Sequence, residues 1–286
     1  MSDKSLQNGQ KRLSNNRIIP EPDGFQERKN FFEVILEDHP DAMMIFSVRM
    51  DCSQRDLTLY TSNSTQDKFP EDYDYMILSD SLEIDRSRII FINQVHGSQI
   101  LTLEDREKGE ICGDAVLSSK AGYYPSVKTA DCQAILILDP VRKVSAAVHA
   151  GWRGTVQRIT RDVIRKMKSL YGSQPEDLIA ALGPSVGTCC YEVDEKVLEP
   201  FRKEIPSAER CIRELKLVDP ASGKERISTR IDLRQANRSE LTLAGVRADR
   251  IRDLDLCTHC NDRLFYSYRR DGASPGRLIA LAGFRE

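Results

Sequence analysis

The amino-acid sequence predicts a mixed α/β fold. From residue 31 onward, short apolar runs recur along the chain, and several lack any polar interruption, which is typical of strands buried on both faces. After Gly154, apolar residues return with a period of about 3.6 residues, which predicts an amphipathic helix. Residues 115–149 contain several apolar runs with no helix between them. We therefore expect mixed sheets rather than one fully alternating parallel sheet.

Each element is placed from its own pattern. Strands are expected at residues 43–49, 89–95, 115–118, 134–138, 144–148, 178–182, 251–256 and 277–282. The clearest helix follows Gly154, repeats apolar residues to Leu170 and ends at Tyr171-Gly172. A second helix is expected at residues 195–203. A third covers residues 233–244, where Asp232 is suited to cap the N-terminus and Gly245 to end the helix.

Residues 1–30 differ from the rest of the chain in composition. They are polar, rich in Asn, Gln and Lys, and interrupted by Pro20, Pro22 and Gly24. Such a segment cannot bury enough apolar surface to order itself. We expect a polar, flexible N-terminal tail followed by one domain over residues 31–286, because no repeat or linker divides that part.

The charge balance favours a small-molecule partner. The chain has 42 Lys and Arg against 44 Asp and Glu, for a net charge of -2, so no global field attracts nucleic acid or a membrane. No run approaches the roughly 18 apolar residues of a membrane span, and no apolar signal segment begins the chain. We expect a cytoplasmic protein, monomeric or homodimeric, whose eight cysteines are thiols or metal ligands rather than disulfides.

Residues 145–160 (SAAVHAGWRGTVQRIT) place a turn between a buried strand and the clearest helix. Open α/β sheets bind ligands at such turns. Gly151 and Gly154 let backbone approach a ligand, and Arg153 adds a cationic fork, so a phosphate or carboxylate site is one interpretation. The alternative is that His149 is a hydrogen-bonded core histidine and that Trp152 is a packing residue.

Two other strand ends carry metal-capable side chains. His96 follows an apolar strand and precedes a glycine, and Cys132 comes just before the run at residues 134–138. With His149 they form the donor set of a catalytic zinc, which takes three protein ligands and leaves a fourth position open. The residues are far apart in sequence, so spacing alone does not bring them together.

Seven blocks of sequence carry a more specific likeness. In chain order they are QVHG (94–97), GDAV (113–116), TADC (129–132), HAGWRG (149–154), GPSVG with CCYEV (183–187, 189–193), DLRQAN (232–237) and CTHC with FYSYRRD (257–260, 265–271). HAGWRG and TADC are uncommon strings. The blocks lie in register over about residues 41–284, and there the chain resembles the YfiH-like family, also called the laccase-domain, purine nucleoside phosphorylase or peptidoglycan editing factor family.

The resemblance implies two packed, mixed β-sheets flanked by helices. It also implies a zinc ion on the histidines of QVHG and HAGWRG and the cysteine of TADC, here His96, His149 and Cys132. The implied activities are phosphorolysis of adenosine, inosine, guanosine and methylthioadenosine, and hydrolytic deamination of adenosine. Bacterial members are also linked to removing wrong residues from peptidoglycan precursors, and older names call members polyphenol oxidases.

The chain departs from the family pattern after its first strand. The family follows that strand with S-T-R-x-G-G-V-S and S-L-N-L-G blocks, whereas residues 47–54 read SVRMDCSQ. Arg49 is retained and the glycines are not. Because this loop helps shape the substrate end of the family's pocket, the departure bears on which substrate is bound.

The leading hypothesis is zinc on His96, Cys132 and His149, where it would activate a water or polarise a substrate oxygen. Deamination also needs an acid/base group, for which Asp131 is the candidate; its alternative role is a turn or ligand-orienting hydrogen bond. Phosphorolysis needs cations along one side of the site, and Arg49 and Arg153 are the candidates.

Three further hypotheses stay open at this point. Cys132, with His149 or His96 as base, could be the nucleophile of a thiol hydrolase, which suits peptidoglycan-precursor editing. Copper is disfavoured, because a multicopper oxidase needs an imidazole-rich three-copper cluster and the chain has only 4 histidines. The third hypothesis is that the chain is a zinc-binding protein without catalytic activity.

For that third hypothesis, the CTHC block at residues 257–260 supplies only two thiols of a structural zinc site. Cys189 and Cys190 could complete it only if they folded nearby, and buried or turn thiols are the alternative. Tyr266, Tyr268, Arg269 and Arg270 could line the pocket, although strand alternation also explains the aromatic residues.

Overall fold

The computed structural model describes residues 24–28, 31–49, 73–206, 208–218, 223–272 and 276–286. The strands are β1 (Phe25–Glu27), β2 (Phe31–Val34), β3 (Ala42–Ser47), β4 (Ile89–Ile90), β5 (Ile100–Thr102), β6 (Ala115–Ser118), β7 (Tyr124–Thr129), β8 (Gln133–Asp139), β9 (Val144–Ala150), β10 (Ile179–Leu182), β11 (Ile212–Val218), β12 (Glu225–Ile231), β13 (Ile251–Asp253) and β14 (Leu278–Phe284). The helices are α1 (Tyr73–Leu82), α2 (Leu103–Glu107), α3 (Trp152–Val156), α4 (Ile159–Tyr171), α5 (Glu195–Glu204), α6 (Leu233–Leu243) and α7 (Tyr268–Asp271).

Two six-stranded sheets and a hairpin contain these strands. The first sheet has the order β1-β2-β3-β14-β7-β4, the second has the order β13-β10-β8-β9-β6-β5, and β11 pairs with β12. Both sheets are mixed: β4 runs parallel to β7, and β5 to β6, while β8 and β9 are antiparallel. The prediction of mixed sheets is confirmed.

The continuous apolar strands are explained by a core on each side of the second sheet. On β8, Leu136 and Leu138 face the first sheet and pack in one cluster with Phe46. Ile135 and Ile137 face the opposite way and pack with α4 and α6. Because the side-chain period of a strand is two, a strand covered on both faces must be apolar at every position.

The main amphipathic helix is broken once. Buried apolar residues repeat along α4, and Gly172 closes it in the left-handed conformation, as the sequence predicts. However, α3 is a separate short helix, because Arg158 has φ 61°. The Nε of Arg158 donates to both carboxylate oxygens of buried Glu240 on α6, at 3.0 and 3.1 Å. This ion pair fixes the turn between the two helices.

The other two predicted helices are confirmed to within about one residue at each end. α6 begins after Asp232, whose side chain accepts a hydrogen bond from the backbone N–H of Gln235 at 2.8 Å. α5 buries Leu198 and Phe201. Several elements had too weak a pattern to be predicted: β1, β2, β5, β7, β11, β12, α1, α2 and α7.

Of the strand expected at residues 89–95, only Ile89 and Ile90 form a strand, and the rest of that prediction is wrong. The chain leaves the sheet after Ile90, and His96 has φ 57°. The carboxylate of Asp114 accepts hydrogen bonds from the backbone N–H groups of His96 at 2.9 Å and Gly97 at 2.7 Å. These two N–H groups lie just beyond the predicted strand, and their bonds to Asp114 hold the turn that carries His96.

Part of the segment expected to be a tail is described. Phe25–Glu27 pair antiparallel with β2, and the Phe25 ring packs 6.3 Å from the ring of Phe46. Residues 1–23 lie outside the described residues. In the described part of the chain, no helix combines the length and apolar character that crossing a membrane requires.

Candidate metal centre

Three separate segments bring His96, Cys132 and His149 together at one end of the second sheet. His149 lies on β9, and Cys132 immediately precedes β8, which pairs antiparallel with β9 so that Gln133 faces Ala150. His96 comes from the loop after β4. One ligand atom from each side chain lies within 4.8 Å of the others, and the imidazole rings are edge-to-face with centroids 4.8 Å apart.

The trio is buried on one side and open on the other. His149 is 2% exposed, Cys132 is half-buried, and His96 is exposed. Two imidazoles and one thiolate are donors suited to zinc, which uses three protein ligands where the fourth position serves catalysis. The donor set therefore fits a zinc ion with an accessible fourth position.

Asp114 is the functional residue that the sequence reasoning missed. It is fully buried just before β6, and its Oδ1 lies 2.9 Å from Nδ1 of His149. The same carboxylate accepts the His96 and Gly97 backbone N–H groups. It thus orients two of the three candidate ligands and leaves Nε2 of His149 as the nitrogen that would bind a metal. The GDAV block contained the signal, an acidic residue at the start of a buried strand.

The charges of the trio are coupled. Burial alone raises the pKa of the Cys132 thiol, but hydrogen bonds with His149 and His96 outweigh it and lower the pKa to about 6. Burial lowers the pKa of His149, while hydrogen bonds with Asp114 and Cys132 raise it to about 9. Without a metal, the site therefore holds a thiolate beside an imidazolium at neutral pH.

The two glycines of HAGWRG lie in close contact with the segments that carry His96 and Cys132. A Cβ at Gly151 would lie 3.0 Å from Sγ of Cys132 and 3.7 Å from the His96 ring. A Cβ at Gly154 would lie 2.8 Å from the Gly97 carbonyl oxygen. A side chain at Gly154 would collide with backbone, and one at Gly151 would crowd the Cys132 sulfur. Both glycines therefore allow the segments that carry His96, Cys132 and His149 to approach closely.

Asp131 is fully engaged in hydrogen bonds. Its Oδ1 accepts from the Thr258 hydroxyl at 2.6 Å, its Oδ2 from the Arg269 N–H at 2.7 Å, and its carbonyl from the Val186 N–H at 2.9 Å. It is 8% exposed and has φ 97°. This geometry favours the ligand-orienting alternative over the acid/base role, because both carboxylate oxygens already hold the neighbouring loops in place.

The two candidate arginines occupy different surroundings. Arg153 is exposed and stacks on Trp152, with 4.4 Å from its guanidinium carbon to the ring centroid. Arg49 packs over Tyr266 at 5.0 Å and donates to the Asp262 carbonyl oxygen. The structure thus groups Arg49 with the loop that follows the CTHC block. The loop after Arg49, residues 50–72, lies outside the described residues.

Tyr191 and Arg269 lie beside the segment that carries Cys132: the charges of Cys132 and Asp131 act on Tyr191, and the Arg269 backbone N–H donates to Asp131. The guanidinium of Arg269 stacks on the Tyr191 ring at 5.0 Å. Burial raises the pKa of the Tyr191 hydroxyl, and the nearby charges of Cys132 and Asp131 raise it further. The hydroxyl therefore stays protonated as a donor at neutral pH. Of the other possible pocket residues, Arg270 donates to the carbonyl oxygens of the CTHC loop, and Tyr268 is exposed.

A second group of metal-capable side chains lies nearby in the described chain. Sγ atoms of Cys189, Cys190, Cys257 and Cys260 lie within 4.8 Å of one another. The seven described cysteines are free thiols in this structure. Cys189 and Cys190, the CC pair, therefore lie close enough to Cys257 and Cys260 to complete a four-thiol site with them.

Comparison with known proteins agrees with this architecture. The family described as multi-copper polyphenol oxidoreductase laccase matches residues 67–285. The purine nucleoside phosphorylase YlmD of Bacillus subtilis is 31% identical over 73% of this chain and 75% of its own length. An adenosine deaminase, RL5, from an unknown prokaryotic organism is 33% identical over 71% of this chain and 78% of its own.

Solved structures extend the likeness to the fold. The crystal structure of YlmD from Geobacillus stearothermophilus superposes with a TM-score of 0.73 at 26% identity, and the alignment covers 93% of this chain and 100% of that one. Because sequence, fold and family match agree over most of its length, the chain belongs to the YfiH-like, laccase-domain family.

Proposed function

We propose that this chain is a zinc-dependent purine nucleoside enzyme. Its reactions are the phosphorolysis of adenosine, inosine, guanosine and methylthioadenosine, and the hydrolytic deamination of adenosine. The observation that carries the proposal is the convergence of His96, Cys132 and His149 on one partly open point, with Asp114 buried behind them. Relatives named purine nucleoside phosphorylase and adenosine deaminase support the substrate class.

His96, Cys132 and His149 are the proposed zinc ligands. A zinc ion held there supplies a Lewis acid that polarises an oxygen ligand. Asp114 keeps the proton of His149 on Nδ1, which fixes the tautomer and the ring orientation. Copper is a poorer fit, because in the described chain the two metal-capable groups contain only two imidazoles between them.

Substrate binding falls to the residues around the open side. Arg153, at the start of α3, is the proposed phosphate ligand, with Gly151 and Gly154 setting the path of the backbone there. Arg49 is the second proposed cation. The Tyr191 hydroxyl is a donor for the sugar or the base, and the stacked Arg269 offers a further positive charge beside it. Asp131 holds the segments that carry Tyr191 and Arg269 in position.

A nucleoside and phosphate are the proposed partners, and the protein is proposed to be cytoplasmic.

The test is chromatography of the products formed from adenosine by the zinc-loaded protein, with and without phosphate. Phosphorolysis yields adenine only when phosphate is present, and deamination yields inosine in both conditions. Cys132→Ala should abolish both products, whereas Cys112→Ala, at an exposed thiol outside both cysteine groups, should leave them unchanged. If adenosine and the other three nucleosides gave no product in any condition, the proposal would be wrong.

A second candidate rests on the Cys132 thiolate. Because hydrogen bonds with the two histidines lower the pKa of Cys132 to about 6, the metal-free protein holds an activated nucleophile that could cleave an amide bond of a peptidoglycan precursor. Chelation separates the candidates. Activity that survives zinc removal and is lost on thiol alkylation favours the thiol hydrolase, and activity lost on chelation and restored by zinc favours the first proposal.

A further inference from the structure

Two segments far apart in sequence place four cysteines at one edge of the second sheet. Cys189 and Cys190 lie in the loop after β10, and Cys257 and Cys260 lie in the loop after β13. β10 and β13 are parallel neighbours, so their following loops leave the sheet at the same end. The loops continue this pairing, with a parallel bridge between Ser185 and Cys257.

The spacing of the four sulfur atoms suits one tetrahedral ion. Sγ of Cys260 lies 3.5 Å from Sγ of Cys189 and 3.4 Å from Sγ of Cys190, and all four lie within 4.8 Å of one another. Zinc–sulfur bonds of about 2.3 Å in a tetrahedron separate the sulfur atoms by about 3.8 Å. A disulfide requires about 2.05 Å. The distances match shared coordination, and no disulfide joins the described cysteines.

The surrounding backbone is arranged for a thiolate. The Gly187 N–H donates to Sγ of Cys257 at 3.3 Å. A Cβ at Gly187 would lie 3.3 Å from Sγ of Cys189 and 3.4 Å from Cβ of Cys257, so a side chain there would crowd the sulfur atoms. Backbone N–H donors that orient the ligand atoms are common around metal sites.

We propose that Cys189, Cys190, Cys257 and Cys260 bind a second zinc ion in a closed, four-thiolate site separate from the His96–Cys132–His149 centre. Tetrahedral sites of four thiolates bind zinc or iron–sulfur centres, and zinc is the choice that involves no redox chemistry. Because protein fills all four positions, the ion is structural. Cys189 and Cys260 are exposed, so the ion can enter from solvent.

The second ion would hold together the loops after β10 and β13, which lie beside the His96–Cys132–His149 centre. The Thr258 hydroxyl, inside the CTHC block, donates to Asp131, the residue before Cys132. Val186, three residues before Cys189, donates its N–H to the Asp131 carbonyl oxygen. Tyr191 follows Cys190 directly. Loss of the second ion should therefore loosen Asp131 and Tyr191 while leaving His96, Cys132 and His149 in place.

The first test is the zinc content of the full-length protein, purified under reducing conditions and dialysed free of loosely bound metal. We expect about two zinc ions per chain. Cys260→Ser should lose one, because Cys260 touches both members of the CC pair. Cys132→Ser should lose the other, and the double variant both. Cys112→Ser, at an exposed thiol in neither group, should keep two.

Cobalt substitution gives a second readout that does not depend on activity. Cobalt at the four-thiolate site should give intense thiolate-to-cobalt absorption that Cys132→Ser mostly retains, whereas Cys260→Ser should reduce it to the weaker band of the single Cys132 thiolate. Cys190→Ser should repeat the Cys260→Ser result, and circular dichroism checks that each variant is folded.

Three results would overturn the proposal: unchanged zinc content in folded Cys260→Ser and Cys190→Ser, iron in place of zinc, or a disulfide among these four cysteines in the reduced preparation. Loss of nucleoside turnover in Cys132→Ala is independent of these results, so the two proposals fail separately.

Discussion

At the residue scale, one buried carboxylate organises the candidate centre. Asp114 accepts hydrogen bonds from His149, from the His96 N–H and from the Gly97 N–H, so it fixes the ring of one ligand and the backbone of another. The left-handed φ of His96 is maintained by this network. The carboxylate also stabilises the imidazolium of His149, which in turn stabilises the Cys132 thiolate.

This charge network predicts the pH dependence of Cys132 alkylation in the zinc-free protein. The thiolate reacts and the thiol does not, so the rate should rise as the pH increases through about 6 and then level off. Cys211, whose pKa is raised by burial to about 11, should stay unreactive over that range. Iodoacetamide labelling followed by peptide mass spectrometry measures both rates.

Asp114→Asn is the matched variant for this prediction. The amide keeps the shape but withdraws the negative charge that supports His149, so the midpoint for Cys132 should move to higher pH. Zinc should protect Cys132 at neutral pH, where the three ligands can release their protons to bind it. A wild-type midpoint near 9, the ordinary value for a thiol, would contradict the proposed network.

At the element scale, the break between α3 and α4 sets where α3, the short helix that carries Arg153, ends. A continuous helix from residue 152 to 171 would satisfy the hydrophobic period, but Arg158 adopts φ 61° and pairs with Glu240, which is 1% exposed. The Thr160 hydroxyl donates to Asn237 Oδ1 at 2.7 Å, so α4 and α6 are joined at a second point. Polar contacts between buried helix faces therefore fix where the short helix ends.

Arg158→Ala should destabilise the protein by about 2–3 kcal/mol. The change leaves a buried carboxylate without its partner, which typically costs about 3–5 kcal/mol, and the partial exposure of Arg158 reduces that cost. Arg165→Ala, at an exposed pair on the same helix, should change the free energy of unfolding by less than about 0.5 kcal/mol. Urea unfolding measures both, and equal effects of the two changes would show that the Glu240 pair is not what holds the turn.

At the scale of the whole molecule, the site depends on how closely the two sheets pack. Gly183 directly follows β10 of the second sheet, and a Cβ there would lie 2.4 Å from the ring of Phe46 on β3 of the first sheet. The Gly183 carbonyl also accepts a hydrogen bond from Gln133, the residue after Cys132. The loop that carries the CC pair therefore leaves the sheet from a point fixed by contact between the sheets.

Gly183→Ala should destabilise the protein by about 1–3 kcal/mol, because the methyl group collides with a ring that is 2% exposed and has little room to move. Phe46→Leu removes the colliding edge, so the double variant should lose less stability than the sum of the two single changes. Thermal unfolding of the four proteins gives the comparison. Strict additivity would contradict a steric cause.

The sequence by itself determined the candidate ligands and much of the scaffold. The apolar runs predicted most strands of the second sheet, because strands buried on both faces need apolar residues throughout. The helix period and the cap residues predicted α4 and α6. The blocks QVHG, TADC and HAGWRG supplied the three candidate ligands through residue type and family resemblance.

Only the tertiary structure decided which distant residues meet. His96, Cys132 and His149 converge because an antiparallel pair and a turn held by Asp114 end at one point, and no local pattern encodes that distance. The four-cysteine group, Tyr191 and Arg269 likewise depend on which strands are neighbours in the sheet. Hydrophobic periodicity reports which face of an element is buried, whereas strand order and register are fixed by packing between elements, and these set the geometry of both proposed metal sites.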